Sequence, residues 1–177
     1  GKRIPLKKDV RDKLEKKYEY YGATGVIDFV DRFIFDGKYL LVGEDGANLL
    51  SKSKANAFVV SGQFWVNNHA HIFEESNVAD LDYLALTINA ISLGPYVTGT
   101  AQPKLTQKKL LTIPTPLPPL SERRRIVARL KELLPLVEEY GTHQSALEKL
   151  EKEFPDKLKA SILQQAIEGK LVPQLDS

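Results

Sequence analysis

The feature that most constrains this chain is an apolar pattern that starts after residue 120 and continues almost to the end of the sequence. Apolar side chains recur there mostly at alternating spacings of three and four residues, which is typical of a helix that packs against other helices. If it is continuous, a helix over residues 121–168 is about 70 Å long, because each residue adds ~1.5 Å. Such a helix cannot bury its stripe on itself, so the pattern predicts a partner helix. The stripe assigned to this interface consists of Leu130, Leu133, Val137, Leu147, Leu150, Phe154 and Leu158.

Two residues inside this pattern leave a second arrangement open. Gly141 has a flexible backbone that disfavours helix, and Pro155 lacks the amide hydrogen that a helix interior requires. Either residue can bend or break the helix. The alternative is therefore a local helical hairpin that folds back at Gly141.

The segment "TIPTPLPPL", residues 112–120, must be extended, because proline removes backbone donors and biases the preceding residue away from helix. Ser121 follows as a predicted helix N-cap, and Glu122 then lies in the first turn, where a negative charge complements the helix dipole. The sequence therefore predicts one domain over residues 1–119 and a helical region over 120–177.

Residues 1–119 have the pattern of a mixed, turn-rich domain that contains β-strands. Asp36-Gly37 separates two apolar runs and predicts a hairpin, and Ser61-Gly62 and Asn67-Asn68 predict further turns. Leucines and isoleucines at helical spacing predict a helix over residues 79–93, which Gly94-Pro95 terminates. Together with the long helix, these elements predict an α+β fold.

A short helix is predicted over residues 107–110. Thr106 precedes it and is a residue type that caps helix N-termini. The preceding stretch "GTAQPKLTQ" is predicted to be a loop, because it combines glycine, proline and small polar residues.

Composition limits the classes of function. The 177 residues contain no cysteine, which excludes disulfides, cysteine metal sites and cysteine nucleophiles. No apolar run approaches the roughly 20 residues that span a bilayer, so we expect no membrane association and a cytoplasmic location. The net charge of +2 requires any nucleic-acid surface to be local. The chain lacks methionine and begins at Gly1, so we expect a processed or excised piece.

The sequence offers no recognisable catalytic centre. His69 and His71 are predicted to share one face of a strand, but no third metal ligand accompanies them. The glycine-rich "GEDGANLL" lacks the Lys-Ser/Thr ending of a phosphate-binding P-loop, and no motif of an adenine methyltransferase is present. We therefore expect no catalytic residue, no metal and no cofactor.

Three polar stretches are better candidates for binding nucleic acid: residues 18–25, 46–54 and 99–104. Lysine and hydroxyl side chains hold phosphates, and asparagine pairs with two atoms of adenine. Two competing interpretations stay open, since Tyr20 is a frequent kind of core residue and Asn48 can simply cap its turn. With the basic N-terminal segment included, the candidate DNA-contacting residues are Lys7, Lys8, Tyr20, Tyr21, Thr24, Asn48, Ser51, Lys52, Lys54, Thr98, Thr100, Gln102 and Lys104.

Six stretches in order resemble the specificity (S) subunit of type I restriction–modification systems, from about residue 18 to residue 173. The stretches that carry the resemblance are "YEYYGATGVID", "YLLVGEDGANLL", "WVNNHAHIF", "GTAQPKLTQKKL", "IPTPLPPLSERRRIVARLKELL" and "LKASILQQAIEGKLVPQ". One departure is Glu122-Arg123, where the family often has Glu-Gln. The resemblance implies a target recognition domain followed by a long conserved helix, with no catalytic role.

A full subunit of that family has two such units, and each recognition domain reads one half of a split double-stranded DNA target. Two antiparallel helices then act as the spacer, modification (methyltransferase) subunits dock on them, and a restriction subunit joins through the complex. The resemblance implies that this chain is a half subunit or a fragment, with a recognition domain that is incomplete at its N-terminus. We expect it to pair its helix with a second copy or with a second half-unit. The alternative hypothesis is a coiled-coil protein-interaction module that does not bind DNA.

Overall fold

The computed structural model describes residues 3–74, 80–99 and 101–172. The chain divides into two compact units, Gly1–Val127 and Ala128–Ser177. A mixed sheet in the first unit is followed by one long helix, which confirms the predicted α+β class. The strands are β1 Tyr18–Gly22, β2 Gly25–Val30, β3 Phe35–Gly43, β4 Ala57–Val66 and β5 Ala70–Glu74. The helices are α1 Lys8–Arg11, α2 Asn48–Ser51, α3 Leu81–Ala90, α4 Gln107–Leu110 and α5 Leu120–Ile167, with a 3-10 turn at Gly94–Tyr96.

The five strands form one sheet in the order β2-β1-β4-β3-β5. The β1 and β4 strands run parallel, and every other neighbouring pair is antiparallel. The predicted turn at Asn67-Asn68 is confirmed, since it links β4 to β5. Both of these strands flank β3, which places β3 inside the sheet with hydrogen-bonded partners on its two sides.

The predicted turns at Asp36-Gly37 and Ser61-Gly62 are wrong. Strand β3 continues through Gly37 and β4 continues through Gly62, and the two glycines are paired with each other across the strands. Both have positive φ angles, 135° at Gly37 and 96° at Gly62, a region that favours glycine. These dipeptides therefore supply a local change of backbone direction within a strand pair, not a reversal of the chain.

Aromatic contacts show that β4 curls. The Tyr21 ring lies 5.9 Å from the Phe58 ring and 5.7 Å from the Phe64 ring, measured between centroids. Six residues of straight strand extend about 20 Å. Because both rings touch Tyr21, β4 must bend between them, and Gly62 lies in that interval. The bend lets β3 and β4 wrap around an aromatic core.

The first unit buries side chains on both faces of β3. Leu40 and Val42 pack with α3 and with the segments that follow it, including Leu93 and Leu105. Leu41 points to the opposite face and joins the aromatic cluster. Alternate residues of a strand face opposite sides, so the continuous run "YLLV" reflects burial on two sides.

The predicted helices of the first unit are confirmed near their expected bounds. Asp80 caps α3 by accepting a hydrogen bond from the Tyr83 amide at 3.1 Å. Thr106 caps α4 in the same way, with the Lys109 amide at 3.3 Å. Helix α3 ends at Ala90, before the predicted Gly94-Pro95 stop, and those two residues begin the 3-10 turn instead.

Helix α5 starts one residue earlier than predicted. The Pro119 carbonyl accepts hydrogen bonds from the amides of Glu122 and Arg123, which makes Pro119 the capping position and places Ser121 inside the first turn. Proline is suitable there because its missing donor is not needed before the first turn. The predicted domain boundary at 119/120 stays a prediction, since the first compact unit extends to Val127.

The helix is continuous over 48 residues and passes through Pro135, Gly141 and Pro155. The alternative of a hairpin at Gly141 is therefore wrong. At ~1.5 Å per residue the helix is about 72 Å long. Within the described ranges, no helix has both the length and the apolar character to cross a membrane.

Candidate nucleic-acid interface

The three polar stretches that the sequence singles out meet beyond the end of β3. The turn between β1 and β2 comes so close to β3 that a Cβ atom on Gly43 would lie 2.8 Å from the Ala23 carbonyl oxygen. The next residues of the chain contact the stretch 98–104, because the Gly46 amide donates to the Pro103 carbonyl at 3.0 Å. Asp45 also forms an isolated β-bridge with Lys104. Contacts through residues 43–46 therefore connect all three candidate loops.

Charged groups meet at Glu44, in what we call the Glu44 cluster: Arg3, Glu44, His71 and Lys104. Arg3 donates a hydrogen bond to the Glu44 carboxylate, the Lys104 ammonium lies 3.3 Å from it, and the His71 Nδ1 lies 3.7 Å from it. Burial raises the pKa of Glu44, but the hydrogen bonds from Arg3 and Lys104 and the nearby His71 outweigh burial and lower it. The carboxylate therefore stays ionised and ties together segments far apart in sequence.

Both predicted histidines have protein partners. The His69 Nδ1 lies 2.8 Å from an Asp45 carboxylate oxygen, and His71 donates from Nε2 to the Leu105 carbonyl at 2.7 Å. His69 precedes β5, whereas His71 lies within it. Over the part of the chain that the structure describes, no group of three histidine or acidic residues is arranged to hold a metal ion.

The 98–104 loop is closed by a pair of backbone hydrogen bonds. The Thr98 amide donates to the Lys104 carbonyl at 2.9 Å, and the Lys104 amide donates back at 2.7 Å. Gly99 has a φ of 85°, and a Cβ atom there would lie 2.5 Å from the Gln102 carbonyl, so only glycine fits. The side chains of Thr98, Gln102 and Lys104 are exposed, whereas the candidate Thr100 lies outside the described residues.

Asn48 is occupied within the protein. Its oxygen accepts from the Ser53 hydroxyl at 3.0 Å and from the Lys54 amide at 2.9 Å. Its nitrogen donates to the Lys54 carbonyl at 3.0 Å and to the Asn56 side-chain oxygen at 2.6 Å. A primary amide offers two hydrogens and two lone pairs, so no group is left to pair with adenine. The interpretation of Asn48 as a turn-capping residue is the one that fits.

The other candidates around α2 divide into two kinds. The Lys52 ammonium donates to the Asn89 carbonyl at 2.8 Å, which attaches the loop after α2 to the end of α3. Ser51 and Lys54 are exposed. Ser51 and Lys54 therefore stay candidates, whereas the side chains of Asn48 and Lys52 are bound within the protein.

Tyr20 and Tyr21 are corrected to core residues. Tyr20 is 1% exposed, and its hydroxyl oxygen accepts a hydrogen bond from the Leu6 amide at 2.9 Å. Tyr21 is 9% exposed and belongs to the aromatic cluster of the sheet. Neither ring can stack on a base in this conformation. Thr24, in the turn between β1 and β2, is partly exposed and remains a candidate.

Lys7 and Lys8 are exposed and lie at helix α1, which contacts β2. Helix α1 is held against β2 by Arg11, whose guanidinium lies 2.7 Å from the Asp28 carboxylate, and Lys16 lies 2.9 Å from the same carboxylate. Hydrogen bonds from Lys16 and then Arg11 hold the pKa of Asp28 well below its usual range. This ion-paired arrangement fixes the basic N-terminal segment on the sheet.

The predicted interface stripe of α5 is unburied in the single chain. Leu133 is 36% exposed and Val137 is 63% exposed, and the stripe residues in the second half of the helix range from 46% to 62%. Leu130 is partly buried. The exposed members in that second half are Leu147, Leu150, Phe154 and Leu158.

Sequence reasoning missed Arg3, Asn56 and Asn89, because their partners are distant in the chain. Arg3 and Glu44 are 41 residues apart, and Asn56 and Asn89 are 33 apart. A lone asparagine before an apolar run indicates a turn but not the helix end that it contacts. No local pattern could have identified these contacts.

Comparison with known proteins gives consistent relatives. A putatively assigned type I restriction enzyme specificity subunit of Haemophilus influenzae is 33% identical over 137 residues, covering 77% of this chain and 34% of that protein. The specificity subunit of the type I restriction enzyme EcoprrI of Escherichia coli is 27% identical over 124 residues, covering 69% of this chain and 30% of that protein. The chain therefore spans about a third of the length of these relatives.

Two solved structures share the fold. The S subunit of a type I restriction-modification system from M. genitalium superimposes with a TM-score of 0.58 at 17% identity, covering 96% of this chain and 46% of that one. A chain from a structural study of type I system assembly and conformational transition gives a TM-score of 0.65 at 16% identity, covering 96% and 43%. The family model described as "Type I restriction modification DNA specificity domain" matches residues 1–153. This chain therefore belongs to the type I restriction-modification DNA specificity domain family, as its sequence motifs predicted.

Proposed function

We propose that this chain is a non-catalytic DNA-recognition unit that reads one half of a split double-stranded target. Membership of the specificity family supports DNA recognition. The single structural observation that carries the proposal is the meeting of the three polar loops through residues 43–46. Loops on a rigid scaffold are the usual location of binding residues.

In this proposal the exposed polar side chains of those loops meet the DNA. Lysines hold phosphates and set the register, while hydroxyl and amide side chains reach the base edges. Lys7 and Lys8 would add phosphate contacts from α1. The contact set is proposed as Lys7, Lys8, Thr24, Ser51, Lys54, Thr98, Gln102 and Lys104, with Thr100 as a candidate outside the described residues.

Helix α5 is proposed to be the spacer. Its exposed stripe would pack antiparallel against the same stripe of a second copy or of a second half-unit. A symmetric pair presents two recognition domains related by a two-fold axis, so a homodimer is expected to read a symmetric interrupted target. Modification subunits are proposed to dock on the paired helices, and the restriction subunit to join through them.

The proposal is tested by titrating DNA binding against salt. Neutralising phosphates with lysine and arginine releases counterions, so the logarithm of the binding constant should fall linearly with the logarithm of salt concentration. A binding constant that stays negligible at low salt would instead favour the coiled-coil interaction module. Reconstitution with a modification subunit, followed by mapping of methylated bases, would identify the target. Methylation by the chain alone would contradict its non-catalytic assignment.

A further inference from the structure

We infer that Asn48 is a positioning residue for DNA binding, which holds the 52–56 loop in the conformation that presents Lys54. This inference rests on the proposed DNA-recognition function and concerns how one of the proposed DNA contacts, Lys54, is held in position. Asn48 would therefore act indirectly, and not through the direct contact with a base that the sequence suggested. Two side chains, which we call clamps, hold the loop from opposite ends and leave the Lys54 side chain exposed.

The first clamp is the Asn48 side chain. Its four hydrogen bonds reach the hydroxyl of Ser53, both backbone groups of Lys54 and the side chain of Asn56, at 2.6 to 3.0 Å. One amide thus fixes three of the five loop residues. Because both backbone groups of Lys54 are bound, the direction in which its side chain leaves the loop is set by Asn48.

The second clamp is Asn89 at the end of α3. Its side-chain oxygen accepts from the amides of Asn56 at 2.8 Å and Ala57 at 3.0 Å, and its nitrogen donates to the Ala57 carbonyl at 2.6 Å. Asn56 joins the two clamps, because it also bonds Asn48, and it is only 2% exposed. A chain of paired polar side chains around a buried member such as Asn56 rigidifies its surroundings.

The loop also contains one residue, Lys52, in an unfavourable backbone conformation. Lys52 has a φ of 51°, in the left-handed region that non-glycine residues rarely occupy. Its ammonium is bound to the Asn89 carbonyl, so Lys52 is a structural cation. A residue in that region persists only when its surroundings determine it, and here the neighbouring hydrogen bonds do so.

Lys54 is the cation that this arrangement presents. Its backbone is held on both sides while its side chain is exposed. A phosphate contact made from a fixed loop avoids the cost of ordering that loop on binding. The role of Asn48 is therefore to keep Lys54 in place, and its loss should weaken DNA binding only through Lys54.

A double-mutant cycle tests this coupling. The full chain, Lys54→Ala, Asn48→Ala and the double variant are titrated with a mixed-sequence DNA duplex at several salt concentrations. Lys54→Ala should reduce the salt slope by about 0.9, the value for one phosphate contact. Asn48→Ala should reduce it similarly, and the double variant should lose no more than either single variant. Lys159→Ala, an exposed cation on α5, is the control for general charge loss.

Full coupling of the two losses would support the inference. Independent, additive losses would overturn it, since Asn48 would then act without Lys54, and so would a wild-type slope in Asn48→Ala. A wild-type chain that does not bind DNA would overturn the proposed function itself, which is a distinguishable result. If Asn48→Ala does not fold, as judged by its thermal transition, Asn89→Ala releases the loop from the other clamp and must show the same coupling to Lys54.

Discussion

The two compact units of this chain use apolar residues in opposite ways. Among the described residues, every hydrophobic side chain that is buried lies at or before Val127. Beyond that point Leu130 is partly buried, and the other large apolar residues of α5 are exposed, from 36% at Leu133 to 81% at Ile167. The first unit completes its core from its own sequence. The helix carries an equally regular apolar pattern that stays largely exposed in the single chain.

The difference shows that periodicity and burial are separate pieces of information. A stripe at helical spacing predicts a helix, but only the three-dimensional structure tells whether the stripe is covered. In the first unit, the pattern at Leu81 and Ile88 is covered by the sheet. In α5 a comparable pattern remains open. The substitutions below test whether the two units also differ in the free energy that their apolar side chains contribute to folding and to association.

Truncating the aromatic core should produce the largest effect. Phe64 is 1% exposed and packs against Phe35, Tyr39 and Tyr21. Phe64→Ala should lower the free energy of unfolding of the first unit by about 3–5 kcal/mol. Urea unfolding followed by the fluorescence of Trp65, the chain's single tryptophan, measures this unit specifically.

The same sample followed by far-ultraviolet circular dichroism reports mainly on α5. We expect the helical signal to persist at urea concentrations where the Trp65 signal has changed. Phe33→Ala, at a residue that is 39% exposed, is the matched control and should cost less than about 1 kcal/mol. Simultaneous loss of both signals would show that the two units unfold as one.

Truncating the helix stripe should leave the first unit unchanged and weaken self-association. Leu150 is 60% exposed in the single chain. A symmetric dimer loses this side chain twice in Leu150→Ala, about 2–3 kcal/mol in total, which is roughly 30- to 150-fold weaker dimerisation. Sedimentation equilibrium measures it. Lys152→Ala, on the opposite side of the helix, is the control, and unchanged association in Leu150→Ala would contradict the proposed interface.

Removing the Asp28 carboxylate should have a smaller, pH-dependent effect on the first unit. Asp28→Asn loses charged hydrogen bonds to Arg11 and Lys16, with a cost of about 1–2 kcal/mol at neutral pH. Because the folded pKa of Asp28 is depressed, its stabilisation is complete above the unfolded pKa of about 4 and is lost as pH falls toward the folded value. The stability difference between wild type and Asp28→Asn should therefore shrink on acidification. A constant difference in urea midpoints from neutral to strongly acidic pH would refute this.

Replacing a helix glycine should give the smallest effect, with a favourable sign. A Cβ atom at Gly141 meets nothing within 4 Å in the single chain, so Gly141→Ala should stabilise α5 by about 0.5–1 kcal/mol. Thermal melting followed by circular dichroism measures it. Gly99→Ala in the first unit should do the opposite, because of its positive φ and the close Gln102 carbonyl. A lowered melting temperature in Gly141→Ala would place this residue at a close approach of the partner helix.

Sequence reasoning predicted the elements whose causes are local. The cap at Thr106 and the spacing of apolar residues in α3 and α5 act within a few residues, and all of these elements are present. It failed at Asp36-Gly37 and Ser61-Gly62. Turn preference is also local, but the pairing of Gly37 with Gly62 depends on two whole strands.

The sequence predicted which loops form the candidate site, but it did not predict which of their side chains form hydrogen bonds within the protein. Thr98, Gln102 and Lys104 are exposed on a loop, as their composition indicates. The sequence could not show that Asn48 uses all its hydrogen-bonding groups internally, since one of its partners, Asn56, is held in turn by Asn89. Burial of Tyr20 and Tyr21 likewise follows from strand order, which no single stretch encodes.

The glycine pair of β3 and β4 has a consequence for how this family can vary in length. Loops accept insertions because the chain on either side keeps its position. Gly37 and Gly62 lie inside a ladder of eight paired positions, from Phe35–Phe64 to Val42–Ala57. An inserted residue there would shift every later pair and turn alternate side chains from the core to the solvent. Two dipeptides that look like loop sites in the sequence are thus places where relatives should tolerate neither insertion nor deletion.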